Sequence, residues 1–124
     1  MTGRGQLEGA WRLTACETRL GDGTLVQPFG AAPAGMLIYS PDGWMSAQLD
    51  DPDRAEAHCA YWGRFSIGEG MVVHHIAGSS DARLLGDQPR RFAFTDDDGL
   101  ELHGDLGDTR SRLTWRRASE ERTR

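Results

Sequence analysis

His74 and His75 are the residues of this chain best suited to proton transfer, and they are adjacent. Neighbours on a strand point to opposite faces, so the pair cannot hold one ion from one side; ligands on a single strand would stand two residues apart. No such spacing joins them to His58 or His103, and no metal site is expected. Val72, His74 and Ile76 share one face, while Val73, His75 and Ala77 share the other. The bulkier first set turns His74 inward, where an imidazole with an ordinary pKa of about 6.5 can act as general acid or base.

Tyr39 alternates with Leu37, and Tyr61 with Phe65 across Gly63. An inward tyrosine offers an apolar ring and one hydroxyl for a ligand carbonyl or a neighbouring histidine, or else it is a core residue bonded to backbone. Arg90 has the parity of Phe92 and Phe94. An inward guanidinium must pair with a carboxylate, receive the carboxylate or enolate of a ligand, or reach water at an open end. Glu17, continuing the face of Trp11, Leu13 and Ala15, is the internal carboxylate for such a pair. His74, Tyr39, Tyr61 and Arg90 are therefore the expected catalytic set. Trp11, Glu17, Leu37, Met45, Phe65, Phe92, Phe94 and Trp115 are expected to contact a ligand.

Other chemistries lack their residues. Ser46 has no nucleophile-elbow context, and no glycine loop for phosphate precedes a helix. The acidic runs at Asp50-Asp51-Pro52-Asp53 and Asp96-Asp97-Asp98-Gly99 lack the spaced pattern of a calcium loop. There is no lysine, which removes Schiff-base chemistry, and no asparagine, which removes N-glycosylation. No cofactor is expected. The net charge of −5 resolves into +4 over residues 110–124, with six Arg and two Glu, and −9 over residues 1–109. An acidic body argues against nucleic acid. No apolar run is long enough to cross a bilayer and the N-terminus has no apolar signal region, so a cytoplasmic protein without membrane contact is expected. Cys16 and Cys59 are then expected to be reduced and packed, a disulfide between neighbouring strands remaining open.

The elements that must position these residues are short and extended. Alternation and turn residues predict strands over 8–19, 24–27, 35–40, 44–49, 59–67, 71–77, 88–95, 100–105 and 109–117. Asp50 to His58 is the one stretch expected to form a helical turn or lid, and 78–87 a second loop. Residues 118–124 are expected to fray. Eight to ten strands with hairpin links in 124 residues close most readily into one all-β, up-and-down antiparallel barrel with at most one short helix, wide enough for one small ligand. The parity of 35–40 and 71–77 stays open by one residue. Trp44 and Trp62 have the opposite parity to the inward residues, so an exposed aromatic face and a C2 homodimer are expected.

Gly9-Ala10-Trp11-Arg12-Leu13, Gly35 to Ala47 (GMLIYSPDGWMSA), Tyr61-Trp62-Gly63-Arg64-Phe65, Val73-His74-His75 and Arg90-Arg91-Phe92 follow one another in order. This succession resembles the bacterial and fungal lipocalin-like domain family of short stand-alone barrels, from about residue 7 to 117. The resemblance implies a calycin-type barrel. It also implies a small hydrophobic metabolite as partner, handled in secondary metabolism by a binding or carrier barrel or by a cofactor-free isomerase or cyclase. An interaction barrel with its core filled by Trp11, Phe65, Phe92, Phe94, Leu102 and Trp115 is a third expectation.

Overall fold

The computed structural model describes residues 4–118; of the tail expected to fray, 118–124, the Ala118 N–H donates to the Ala10 carbonyl at 2.9 Å, and 119–124 lies outside the described residues. Turn chemistry divides the chain into β1 (Gly9–Arg19), β2 (Leu25–Val26), β3 (Ala34–Tyr39), β4 (Trp44–Asp51), β5 (Arg54–Gly68), β6 (Met71–Ser79), β7 (Gly86–Asp96), β8 (Gly99–Leu106) and β9 (Thr109–Arg117). Pro41-Asp42-Gly43 reverses the chain between β3 and β4: Gly43 takes φ +95°, a conformation that glycine alone enters without strain. All ladders are antiparallel in the order β1-β3-β4-β5-β6-β7-β8-β9, and β9 pairs back with β1. Eight strands thus close the barrel, and β2 extends only the end of β1.

Alternation put one row of each strand inside. Leu37 and Tyr39, Met45, Ala47 and Leu49, Tyr61 and Phe65, and Val72, His74 and Ile76 are all buried. The lower end is plugged by α1 (Arg4–Leu7). Trp11 Nε1 donates to the Leu7 carbonyl at 2.9 Å. The Arg117 guanidinium lies 3.9 Å from the centroid of the Trp11 ring and donates to the carbonyls of Glu8 and Gln6. This cation stacked on an indole, with its hydrogen bonds made to backbone, seals the bottom while keeping its charge solvated at the rim.

Two expectations are corrected. No lid forms over 50–58: β4 runs to Asp51, two residues turn, and β5 begins at Arg54. The buried Asp51 carboxylate accepts the Asp53 N–H at 2.9 Å and Arg54 Nε at 3.2 Å, which stabilises a tight reversal instead of a helix. The stretch is polar because it forms the rim, where both strand faces meet water. The second correction is in β1. The β1–β9 register shifts between Leu13 and Ala15, and this bulge swaps the faces beyond it. Cys16 is buried where Glu17 was expected to point in.

One helix was expected at most. Besides α1, a 3-10 turn covers Ala82–Leu84 and drops Leu84 onto the barrel mouth. No helix among the described residues is long and apolar enough to cross a membrane.

Candidate functional site

The barrel interior has a packed lower half and a hollow upper half. Below, Trp11 and Phe94 rings stand 6.3 Å apart, Phe92 and Phe94 5.7 Å, and Tyr39 and Phe65 4.7 Å. Trp11, Leu37, Met45, Phe65, Phe92 and Trp115 are buried. Phe94, partly buried, packs against them. None of these seven borders the cavity above, so the expected ligand-contacting aromatics are core. Glu17 faces outward and pairs with Arg112 across the β1–β9 ladder at 2.6 Å; the bulge takes it out of the interior.

The cavity is about 330 Å³ and opens at the upper end. Cys16, Leu49, Cys59, Tyr61, Leu102 and Leu113 form its walls. Val26, Phe29, Leu84 and Leu106 surround the mouth. The loop carrying Phe29 is tied down where Arg54 Nη2 donates to the Pro28 carbonyl at 3.3 Å. Sequence reasoning missed Cys16 and Thr18, because the bulge that turns this part of β1 inward leaves no trace in the alternation; Ser111 on β9 shares the inward parity of Leu113 and Trp115 but is too small and polar to have stood out. Leu49, Leu102 and Leu113 carried the alternation signal but not the knowledge of which half is hollow.

Of the four expected catalytic residues, Tyr61 and Arg90 border the cavity. His74 and Tyr39 lie deeper, fully buried, with Tyr39 Oη 2.6 Å from His74 Nε2. The Tyr61 ring stands 6.0 Å from the imidazole, so Tyr61 touches both groups. Burial first, then Arg90 and His75, holds the His74 pKa down at about 3. Burial drives the Tyr39 hydroxyl well above its ordinary range and pushes Tyr61 up to about 12, Arg90 pulling the other way in each. At neutral pH the pair is therefore a neutral hydroxyl bonded to a neutral imidazole. Its Nδ1 has no hydrogen-bond partner among the described residues. A base this weak is far from the operating pH at which proton transfer is efficient.

Arg90 is half-buried and makes no ion pair among the described residues; its Nη1 donates only to the carbonyl of Pro89, at 3.0 Å. Asp105, also at the cavity, is taken by Arg110 at 3.2 Å, and Arg83 by Asp81 at 2.7 Å. Arg90 lies flat over Gly104, where a Cβ would sit 2.6 Å from Nη1. Cys16 and Cys59 are free thiols. They sit on strands that do not pair, which removes the neighbouring-strand disulfide. Burial first, then the nearby Cys59 and Glu17, pushes Cys16 up to about 12. Burial also raises Cys59.

An up-and-down barrel sealed below and hollow above matches a known pattern. Residues 8–60 match the model of the lipocalin-like domain family. Over that stretch, less than half of the chain, the sequence is similar to that family. The match spans β1 to the first part of β5, so Tyr61, His74 and Arg90 lie beyond it. A lipocalin-like protein from Bacteroides uniformis superposes with TM-score 0.57 at 14% identity, over 90% of this chain and 98% of that one. A de novo designed fluorescence-activating β-barrel gives TM-score 0.55 at 16% identity, over 94% and 99%. A redesigned β-barrel gives 0.56 at 10%, over 95% and 100%. At such identities the likeness is one of fold. No curated protein matches the chain.

Proposed function

We propose that this barrel binds a small hydrophobic metabolite in its upper cavity, with an anionic end, carboxylate or enolate, against Arg90. The observation that carries this reading is an apolar cavity of about 330 Å³ holding one guanidinium without a counter-ion. The volume lies at the lower end of the usual range for ligand pockets, roughly 300–1,000 Å³. A half-buried cation costs desolvation that an internal carboxylate would offset. Here Glu17, Asp81 and Asp105 are each engaged by another arginine, which leaves that role to a ligand.

The test is calorimetric titration with a medium-chain carboxylate and its matching alcohol. The wild type should prefer the carboxylate, and Arg90→Leu should lose that preference by roughly tenfold to a hundredfold, the worth of a charge-assisted hydrogen bond. Equal affinity of the wild type for acid and alcohol would remove Arg90 from the site. Failure of both to bind, and of any metabolite to co-purify in native mass spectrometry, would overturn the binding reading.

A second reading, a cofactor-free isomerase or cyclase of secondary metabolism, draws on Tyr61 and Arg90 in the wall and His74 behind them. It predicts a changed ligand after incubation and loss of that change in Tyr61→Phe. The depressed His74 pKa and the buried position of Tyr39 favour binding over turnover.

A further inference from the structure

Outside the barrel, on the face opposite the cavity wall, three side chains from three consecutive strands form a relay. Ser66 on β5 places Oγ 2.8 Å from His75 Nε2, and His75 on β6 places Nδ1 2.8 Å from Asp87 Oδ1 on β7. The ladder sets this geometry: His75 and Asp87 are direct cross-strand partners, and Ser66 is diagonal to His75, opposite Val73. A carboxylate only accepts, so Asp87 fixes the single N–H of a neutral imidazole at Nδ1. The Nε2 lone pair then faces the Ser66 hydroxyl, which is the orientation a general base needs to take its proton.

The relay opens on a place for a substrate. Trp44, Trp62, Arg64, Ser66, His75 and Ala77 line one shallow groove. The Trp44 and Trp62 rings stand 6.4 Å apart and are 43% and 51% exposed. Trp62 lies over Gly78, where a Cβ would meet the indole, so small residues hold the groove open beside the hydroxyl. Arg64, two residues from Ser66 in the same outward row and directly across from His75, stacks 4.5 Å above Trp44. The positive charge at hand beside the Ser66 hydroxyl is Arg64, which lines the same groove.

We propose that Ser66, His75 and Asp87 form an acyl-transfer site on the outer face, acting on small aryl or short-chain esters seated against Trp44 and Trp62. Ser66 Oγ attacks the ester carbonyl and gives its proton to His75 Nε2. The C–O bond to the leaving group breaks, the departing alcohol takes that proton, and the acyl group stays on Ser66. Water then attacks the acyl carbon by the same proton route, releasing the carboxylic acid and restoring the hydroxyl. Asp87 holds the imidazole in its tautomer and is a positioning residue. With Arg64 as the charge beside the developing oxyanion, esters with good leaving groups are the substrates within reach. This site shares no residue with the internal cavity and does not depend on what that cavity binds.

The experiment is incubation of the full chain with p-nitrophenyl acetate, following nitrophenolate release and mapping the acetyl group by peptide mass spectrometry. The expected result is a single acetyl on Ser66, absent in Ser66→Ala, with release slowed about 100-fold in His75→Ala, the order contributed by general base catalysis. Asp87→Asn should lower kcat and leave KM unchanged, while Trp62→Ala should raise KM and leave kcat unchanged. All these positions are exposed or half-exposed, so unchanged thermal midpoints are the folding control. Acetyl placed on any other residue, or release by Ser66→Ala equal to wild type, would overturn the proposal.

Discussion

The two halves of the barrel are built from the same strands and serve opposite ends. Below the level of Tyr61, large side chains from every direction meet: Trp11, Trp115, Tyr39, Leu37, Leu100 and His74 are all fully buried. Above it, the wall residues are smaller or shorter, Cys16, Thr18, Cys59, Gly104 and Ser111 among them, and the space they leave is the cavity. Strand number sets the diameter of a closed barrel, so its filling is decided by side-chain volume at each level. The lower half spends its aromatic content on packing and rigidity. The upper half keeps an apolar wall and one cation in reach of solvent.

The sharpest way to break this contrast is to truncate one residue in each half. Trp11→Ala removes the indole that bonds Leu7 and carries Arg117, and should cost about 3–5 kcal/mol in a urea titration, as large-to-small core changes do. Leu106→Ala, already beside empty space, should cost about 1 kcal/mol or less. Equal costs would mean the upper half is packed in solution.

His74 separates the halves by pH. Its folded pKa of about 3 lies below the unfolded value, so between pH 6.5 and 3 the unfolded chain binds the extra proton. The stabilisation is complete above about pH 6.5 and is lost as pH falls towards 3, by up to a few kcal/mol. Thermal midpoints across this window should decline steeply in the wild type and less so in His74→Gln, which keeps a polar partner for Tyr39 and does not titrate. An identical decline in both would place the acid sensitivity elsewhere.

The two thiols report on the hollow half. Cys16, raised to about 12, should react with iodoacetamide far more slowly than the half-buried Cys59 at pH 8, because only the thiolate attacks. A bound ligand should slow Cys59 further, read by mass spectrometry of the alkylated chain. The smallest effect belongs to the outer surface: Glu17→Ala, removing a partly exposed pair with Arg112, should change stability by less than about 1 kcal/mol.

Much of this was legible in the residues themselves. The strand positions followed from period-two alternation and from turns such as Pro41-Asp42-Gly43, and His74, Tyr39 and Tyr61 were correctly turned inward because their neighbours are apolar. The bulge after Leu13 was invisible: one inserted residue alters no composition and reverses every face beyond it, so Glu17 and Cys16 exchanged places. The rim at 50–58 was misread because a strand wetted on both sides has no alternation to show. The relay on the outer face was missed for a related reason. Ser66, His75 and Asp87 are separated by 9 and 12 residues, and only the register of two ladders makes them neighbours.

Local period and turn chemistry were enough to establish an all-β barrel with a histidine inside and two tryptophans outside. Which half is hollow, which arginine borders the cavity without an ion pair among the described residues and which hydroxyl faces which imidazole were settled by long-range packing. Those relations join β1 to β9 and β5 to β7 across the closure of the sheet, and no local pattern encodes a distance measured around a barrel.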